Sequence, residues 1–270
     1  MDWLEVVILA LIQGLTEFLP ISSSAHLLLP SKLLGWADQG LAFDVAVHVG
    51  SLVAVLVYFR QEVISMTRAW FTDLLAVLKK EPISQDARLA WAVILGTIPV
   101  GLIALLFKSF IEENFRSAFV IAMTTITFGI FLWLADRRKN NKDSEYDLTV
   151  KKVLMIGLAQ AVALIPGTSR SGITMTAGLF LGLTRKAAAR FSFLLSIPTI
   201  TLAGGLLLFE LIQQSAPVAW AEIALGLGIS MLSAYACIHW FLLLIERVGF
   251  LPFIIYRLIL GVVILAVIGL

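Results

Sequence analysis

The sequence predicts an all-α polytopic membrane protein, with about six transmembrane helices and two re-entrant helical hairpins in an inverted-topology repeat. Three observations carry this. The 270 residues are 60% hydrophobic and only 14% charged, with a mean hydropathy of +0.96, whereas a soluble domain is roughly 45–50% apolar and about 25% charged. Apolar runs recur at lengths near the roughly 20 residues that a helix needs to cross about 30 Å of hydrocarbon. Two further apolar regions are too short and too broken for a simple crossing. The strict two-residue alternation of a transmembrane β-barrel is absent.

The elements follow in order. The opening MDWLEVV has no basic n-region and no small-residue cleavage site, and is expected to be mature sequence rather than a signal peptide. Residues 3–34 are interrupted by Pro20 and the serine run 22–24. A helix that dips in, breaks and returns to the same side explains such short arms. Crossings follow at about 41–59, 91–107 and 118–135, then the polar loop DRRKNNKDSEYD. Residues 153–184 are broken in the same manner by PGTSRSG, starting at Pro166, and crossings follow at about 191–212, 218–245 and 248–269. The expected organisation is one integral membrane domain, 1–270, with a first repeat half at 1–135, a loop at 136–149 and a second half at 150–270. The single cysteine, Cys237, excludes an intrachain disulfide.

The halves correspond in order. Gln13 to Pro20 resembles Gln160 to Pro166, each followed by a serine-rich turn. Leu34-Gly35 precedes Phe43 and Gly50-Ser51; Leu181-Gly182 precedes Phe191 and Pro198-Thr199, with the same offset from Phe to the next break. Broken segments at corresponding places in two halves point to a site near the membrane midplane.

Basic residues set the orientation. With six crossings, one side carries three, Lys32, Lys108 and Arg116. The other carries fifteen, among them Arg60, Lys80, Arg137, Arg138, Lys139, Lys152, Arg185 and Arg190. Arg170 and Arg257 fall inside apolar segments and complete the 20. The richer side is then cytoplasmic and both termini are outside. Three crossings separate the hairpins, so they enter from opposite sides and can meet tip to tip.

The first tip, QGLTEFLPISSSAH, places Gln13, Glu17, three serines and His26 at membrane depth. Pro20 ends one half-helix and Ser22, Ser23 or Ser24 can cap the next; Pro166-Gly167 and Thr168 or Ser169 repeat the arrangement. Each restart turns uncovered N–H groups and a positive dipole end toward the tip, which suits an anion, commonly phosphate. Arg170 adds a planar fork for phosphate oxygens. Glu17 shares a helical face with Gln13, and His26 lies close enough in sequence to reach a serine hydroxyl. The simpler readings stand beside these. Serines and threonines in membrane helices bond to a carbonyl one turn back. Arg170 can merely pair with a carboxylate such as Glu17, and His48 and His239 can be structural. Asp44 and His48, at i, i+4, can share a metal. Arg257 is expected to snorkel toward the cytoplasmic end of its run.

QGLTEFLPISSSAH and PGTSRSGIT resemble the two signature motifs of the bacterial undecaprenyl-diphosphatase family, linked to bacitracin resistance, and the resemblance extends over essentially the whole chain. It implies hydrolysis of undecaprenyl diphosphate to the monophosphate carrier of peptidoglycan synthesis in the bacterial inner membrane, with a divalent cation, Mg2+ or Ca2+. The matching positions are Gln13, Glu17, Ser22, Ser23 and His26 in the first motif, and Ser169, Arg170, Ser171 and Thr174 in the second. The family's leading position is glutamate or glutamine; Gln13 here puts more of the metal-binding role on Glu17. The expected roles are Ser23 as nucleophile, with Ser22 as the second candidate, His26 as its base, Glu17 and Arg170 as catalytic charges, and Gln13, Ser22, Ser169, Ser171 and Thr174 in substrate binding. The expected partners are the lipid diphosphate and membrane lipids, with a homodimer left open and no nucleic acid. Direct attack by water is the competing mechanism. A polyprenyl-phosphate flippase is the competing function, since inverted broken-helix repeats are typical of transporters.

Overall fold

The computed structural model describes the chain except residues 34, 38, 80, 139–140, 214–218 and 270, and except the side chains of 28–29, 31–33, 75, 77–78, 108 and 112 within helices. Lys80, Lys139 and Leu34, and the side chains of Lys32 and Lys108, used above, lie outside the described residues. Twelve α-helices are described: α1 Trp3–Thr16, α2 Ser23–Leu33, α3 Leu41–Tyr58, α4 Arg60–Thr72, α5 Leu74–Lys79, α6 Gln85–Asn114, α7 Ala118–Asp136, α8 Val150–Ala161, α9 Arg170–Phe180, α10 Arg185–Gln213, α11 Trp220–Val248 and α12 Leu251–Val267. Five of them, α3, α6, α7, α10 and α11, are long and apolar enough to cross a membrane, and α12 is a shorter apolar helix of 17 residues. Each of the six expected crossings thus falls on one helix of an all-α, multi-pass membrane protein. The amphipathic α4 and the short α5 were not expected; they fill the stretch before α6 that carries Arg60 and Arg68.

The two broken regions are the helix pairs α1–α2 and α8–α9, whose arms of 14, 11, 12 and 11 residues are all too short to span. Asp2 opens α1 with a capping box to Glu5. The first break comes before Pro20: α1 ends at Thr16, with Glu17 as its C-cap. Among the described residues, only two non-glycine residues have positive φ, Ser22 at 73° and Ser169 at 71°. They sit immediately before α2 and α9, so both restarts are made by a serine in a conformation that disfavours any side chain.

Each hairpin packs its first arm on a crossing helix of the other half of the chain. The first arm α1 packs on α11, and the first arm α8 packs on α6. Both contacts need a residue without a side chain. A Cβ on Gly14 would lie 2.0 Å from Ser233 Oγ, and one on Gly157 would lie 2.5 Å from Gly96 O. Close backbone approach of this kind is how membrane helices gain packing energy where lipid removes the hydrophobic drive between them. Between α3 and α11, Ser230 Oγ adds a hydrogen bond to Val47 O at 2.7 Å. Charged side chains gather around the α3–α4, α7–α8 and α9–α10 connections. There Arg190 pairs with Glu145 and Glu62, Arg185 with Asp136, and Lys152 with Asp143.

Candidate active site between the two hairpin tips

The tips meet. Leu19 O accepts from Ser171 Oγ at 2.7 Å, and Arg170 Nη2 lies 3.1 Å from Glu17 Oε1. The second contact joins residues 153 positions apart in sequence. Glu17, as the C-cap of α1, projects its carboxylate from a helix end into the gap, and α9 starts at Arg170, directly after the capping Ser169. Ser169 Oγ accepts from Gly172 N at 3.1 Å, so of the two candidate caps it is Ser169 and not Thr168 that opens this helix.

The Glu17 carboxylate is the centre of the cluster. Its Oε2 accepts from Ser23 Oγ at 2.7 Å and from Gln13 Nε2 at 3.1 Å, while Oε1 faces Arg170. Arg170 uses its fork on two partners, donating through Nη1 to Ser192 O at 3.0 Å. The pairing of Arg170 with Glu17, raised above as the simpler reading of this arginine, is therefore its resting arrangement. A cavity of about 250 Å3 opens on the cluster, lined by Glu17, Ser22, Ser23, Ser24, Ser169 and Arg170, with His48, Gln160 and Thr199 added from the surrounding helices.

The structure brings Glu17, not His26, to Ser23. His26 Nδ1 lies 2.7 Å from Ser22 O, and Nε2 lies 2.5 Å from Tyr256 Oη. A carbonyl can only accept, so Nδ1 carries the proton and Nε2 accepts from the tyrosine. Both ring nitrogens are committed, and the ring stacks on Tyr256 with an interplanar angle of 11°. On a helix restarting at Ser23, His26 is three residues on, and its side chain points toward α12 while Ser23 points toward α1. Tyr256 was not singled out in the sequence. Nothing about a tyrosine within an apolar run marks it, because its partner is 230 residues away.

The remaining expected residues divide between the cavity and the framework. Ser22, Ser23 and Ser169 face the cavity. Ser171 is used on Leu19 O, and Thr174 Oγ1 bonds back to Arg170 O at 2.9 Å and lies 2.7 Å from Ser192 Oγ. His48 turns Nδ1 to Asp44 O at 2.7 Å, and the Asp44 carboxylate accepts from Gln39. His48 lines the cavity. Arg257 does not snorkel; it is fully buried, because α12 turns it toward α7 and the tips, where carbonyl oxygens already wait. Among the described residues, no group of three or more His, Cys, Asp and Glu is placed to hold a metal. Oxygens on offer to a hard cation include the Glu17 carboxylate and Gln13 Oε1, which is buried and has no hydrogen-bond partner.

The sequence model of the bacitracin resistance protein BacA matches residues 6–263. The chain belongs to the BacA family. Within it, the chain is 60% identical over 268 residues to undecaprenyl-diphosphatase 2 of Stutzerimonas stutzeri, covering 98% of both chains. It is 58% identical over 261 residues to the undecaprenyl-diphosphatase of Hahella chejuensis, covering 97% of this chain and 96% of that one. It is 56% identical over 266 residues to the undecaprenyl-diphosphatase of Aliivibrio salmonicida, covering 98% of both. The BacA match runs from within α1 to within α12, so it includes the whole cluster just described.

Proposed function

We propose that the protein hydrolyses undecaprenyl diphosphate to undecaprenyl phosphate and phosphate; its relatives carry the name undecaprenyl-diphosphatase. One observation carries the chemistry: a single carboxylate, Glu17, holds a hydroxyl on one oxygen and a guanidinium on the other, at the edge of a cavity within the membrane. A diphosphate headgroup needs its charge neutralised and a nucleophile activated. At rest, Glu17 and Arg170 neutralise each other. An arriving diphosphate offers the Arg170 fork oxygens of higher charge, which leaves the Glu17 carboxylate with Ser23 as its remaining strong partner.

Ser23 Oγ then attacks the terminal phosphorus and its proton passes to Glu17 Oε2, already at hydrogen-bond distance. The bond from that phosphorus to the bridging oxygen breaks, and Glu17 passes the proton to the lipid monophosphate as it leaves. Water then attacks the phosphoserine with Glu17 taking its proton; the bond from phosphorus to Ser23 Oγ breaks, Glu17 returns that proton to Ser23 Oγ, and phosphate is released. His26, held between Ser22 O and Tyr256, fixes the backbone of the serine turn rather than moving a proton.

A divalent cation is compatible with these residues. Gln13 Oε1 lacks a partner beside the Glu17 carboxylate, and a hard cation takes oxygen ligands, including those of a substrate phosphate. Glu17 and Gln13 would hold it, and it would supply Lewis-acid polarisation of phosphoryl oxygens. The basic-residue asymmetry supports placement in the bacterial inner membrane with both termini, and the opening toward the headgroup, on the outer side.

The test is phosphate release from a polyprenyl diphosphate by the detergent-solubilised protein, with and without chelator. Steady release without any compartment is expected. A protein that moves lipid phosphate between leaflets but releases none in detergent would instead be a flippase.

A further inference from the structure

We propose that Arg257 is a positioning residue that ties the two hairpin tips together, and so sets the distance across which Ser23 and Arg170 work; this rests on the diphosphatase reading above. Arg257 is fully buried and, among the described residues, is the largest of the fully buried side chains. None of the described ion pairs includes it. Among the described residues, it is held by carbonyl oxygens alone. Nη1 donates to Pro20 O at 3.1 Å, in the first tip. Nη2 donates to Gly167 O at 3.0 Å and to Thr168 O at 2.9 Å, in the second. Nε donates to Thr125 O of α7 at 3.0 Å.

The acceptors explain the arrangement. A helix broken in the middle of a membrane leaves carbonyls that the following turn does not reach, and lipid offers them no water. Here one guanidinium from α12 meets such carbonyls from both breaks. Its planar fork fixes their spacing in a way that a flexible ammonium cannot. The surroundings are cut to fit it. A Cβ on Gly172 would lie 2.8 Å from Arg257 Nη1, and one on Gly129 would lie 3.3 Å from Arg257 Cβ. The second tip is also seated on α7 through Thr124 Oγ1 to Pro166 O at 2.7 Å, so the Arg257 bond to α7 joins the tie to a rigid crossing helix. Arg257 is absent from the cavity lining. Its action is through the backbone of Pro20, Gly167 and Thr168, two or three residues from Ser23 and Arg170.

The experiment uses Arg257→Gln and Arg257→Lys in the full-length protein. Turnover is measured in the single variants. Tip geometry is measured by the distance between spin labels on Leu11→Cys of α1 and Leu158→Cys of α8, both exposed positions, in a Cys237→Ala background. A displacement of about 1 Å costs on the order of a hundredfold in rate, so Arg257→Gln is expected to lower kcat by that order. KM should stay within roughly threefold, since substrate contacts are kept, and the label distances should broaden or shift. Arg257→Lys should fall between the parent and Gln in both readouts. Turnover of Arg257→Gln within roughly threefold of the parent would overturn the proposal. So would a loss of kcat with label distances unchanged. If Arg257→Gln does not fold, Arg257→Lys decides by the same two readouts, and failure of both to fold would make Arg257 a folding residue instead. A parent protein that releases no phosphate would count against the diphosphatase reading, while the label distances would still test the tie.

Discussion

The Ser23 hydroxyl and the Arg170 guanidinium hold opposite oxygens of the Glu17 carboxylate, at 2.7 and 3.1 Å. Ser23 and Arg170 come from different hairpins, so the cluster exists only when the tips are docked. In the proposed mechanism, the Ser23 bond gives the nucleophile its base already in the resting protein.

Ser23→Ala is therefore expected to lower kcat for phosphate release by more than about a thousandfold, the scale seen when a nucleophile is removed. The variant should still bind the lipid diphosphate, because Arg170 and Ser169 are untouched. Ser22→Ala removes only a 3.3 Å contact with Ser24, worth about 1 kcal/mol or less, so its turnover should fall only a few-fold. Comparable activity of Ser23→Ala and the parent would move the attack to water.

Arg170→Lys keeps the charge and loses the fork. The native side chain reaches Glu17 Oε1 and Ser192 O at once, which a single ammonium at the end of a shorter chain does not reproduce. A fall in kcat of about 10²–10³ is expected, the usual cost of one electrostatic donor to a developing charge. The variant should insert and purify as the parent does. Near-normal kinetics in a steady-state phosphate assay would remove the guanidinium from the mechanism.

The sequence showed most of the frame and part of the site, for physical reasons that differ by residue. The six crossings were legible because a run of apolar residues has one low-energy state in lipid. The hairpins were legible because each broken region has arms too short to span and a proline and a serine-rich turn near its middle, although α1 and α8 end before Pro20 and Pro166 rather than at them. The convergence of Glu17, Ser23 and Arg170 was legible as a cluster of ionisable and hydroxyl groups at two breaks. The direction of His26 was not. Whether a side chain three residues into a restarting helix faces the cavity or α12 depends on the φ of Ser22, and no local pattern announces 73° at a serine. Arg257 was misplaced for a related reason. Snorkelling is the default for an arginine near a helix end, and only the tertiary arrangement shows carbonyls of Pro20, Gly167 and Thr168 within its reach.

Gln13→Glu places a second carboxylate against Glu17, where Gln13 Nε2 now donates at 3.1 Å. Arg170 alone cannot balance two such charges in low dielectric. In chelator, the variant is expected to melt several degrees below the parent, corresponding to about 1–2 kcal/mol. Mg2+ or Ca2+ should raise its melting temperature more than that of the parent. Equal responses of the two proteins to cation, measured by thermal unfolding in detergent, would argue against a cation beside position 13.

Orientation can be read with single cysteines in the Cys237→Ala background. Ala37→Cys, in the exposed stretch after α2, should react with an impermeant thiol reagent added to intact cells. Lys142→Cys, exposed in the loop after α7, should react only after permeabilisation. The opposite pattern would invert the protein and put the headgroup opening on the cytoplasmic side.

His26 and Tyr256 should act as a unit. With Nδ1–H spent on Ser22 O, the imidazole can accept from Tyr256 but cannot take the Ser23 proton without breaking one of its two bonds. Tyr256→Phe removes the hydroxyl and keeps the stacked ring. It leaves Nε2 without its donor, at a cost of about 1–3 kcal/mol for a buried unsatisfied nitrogen. His26→Ala removes both bonds and frees the Ser22 carbonyl. If His26 serves to hold the serine turn, the double variant should be hardly worse than His26→Ala alone, and the coupling energy in both kcat and stability should be about 1 kcal/mol or more. The pH dependence of kcat in Tyr256→Phe should keep the shape of the parent profile, because no proton is moved by the ring. A catalytic base at His26 makes a different pattern: Tyr256→Phe would shift the pH profile, and His26→Ala would lose turnover without losing stability. Measuring kcat against pH together with thermal unfolding for the three variants separates the two roles.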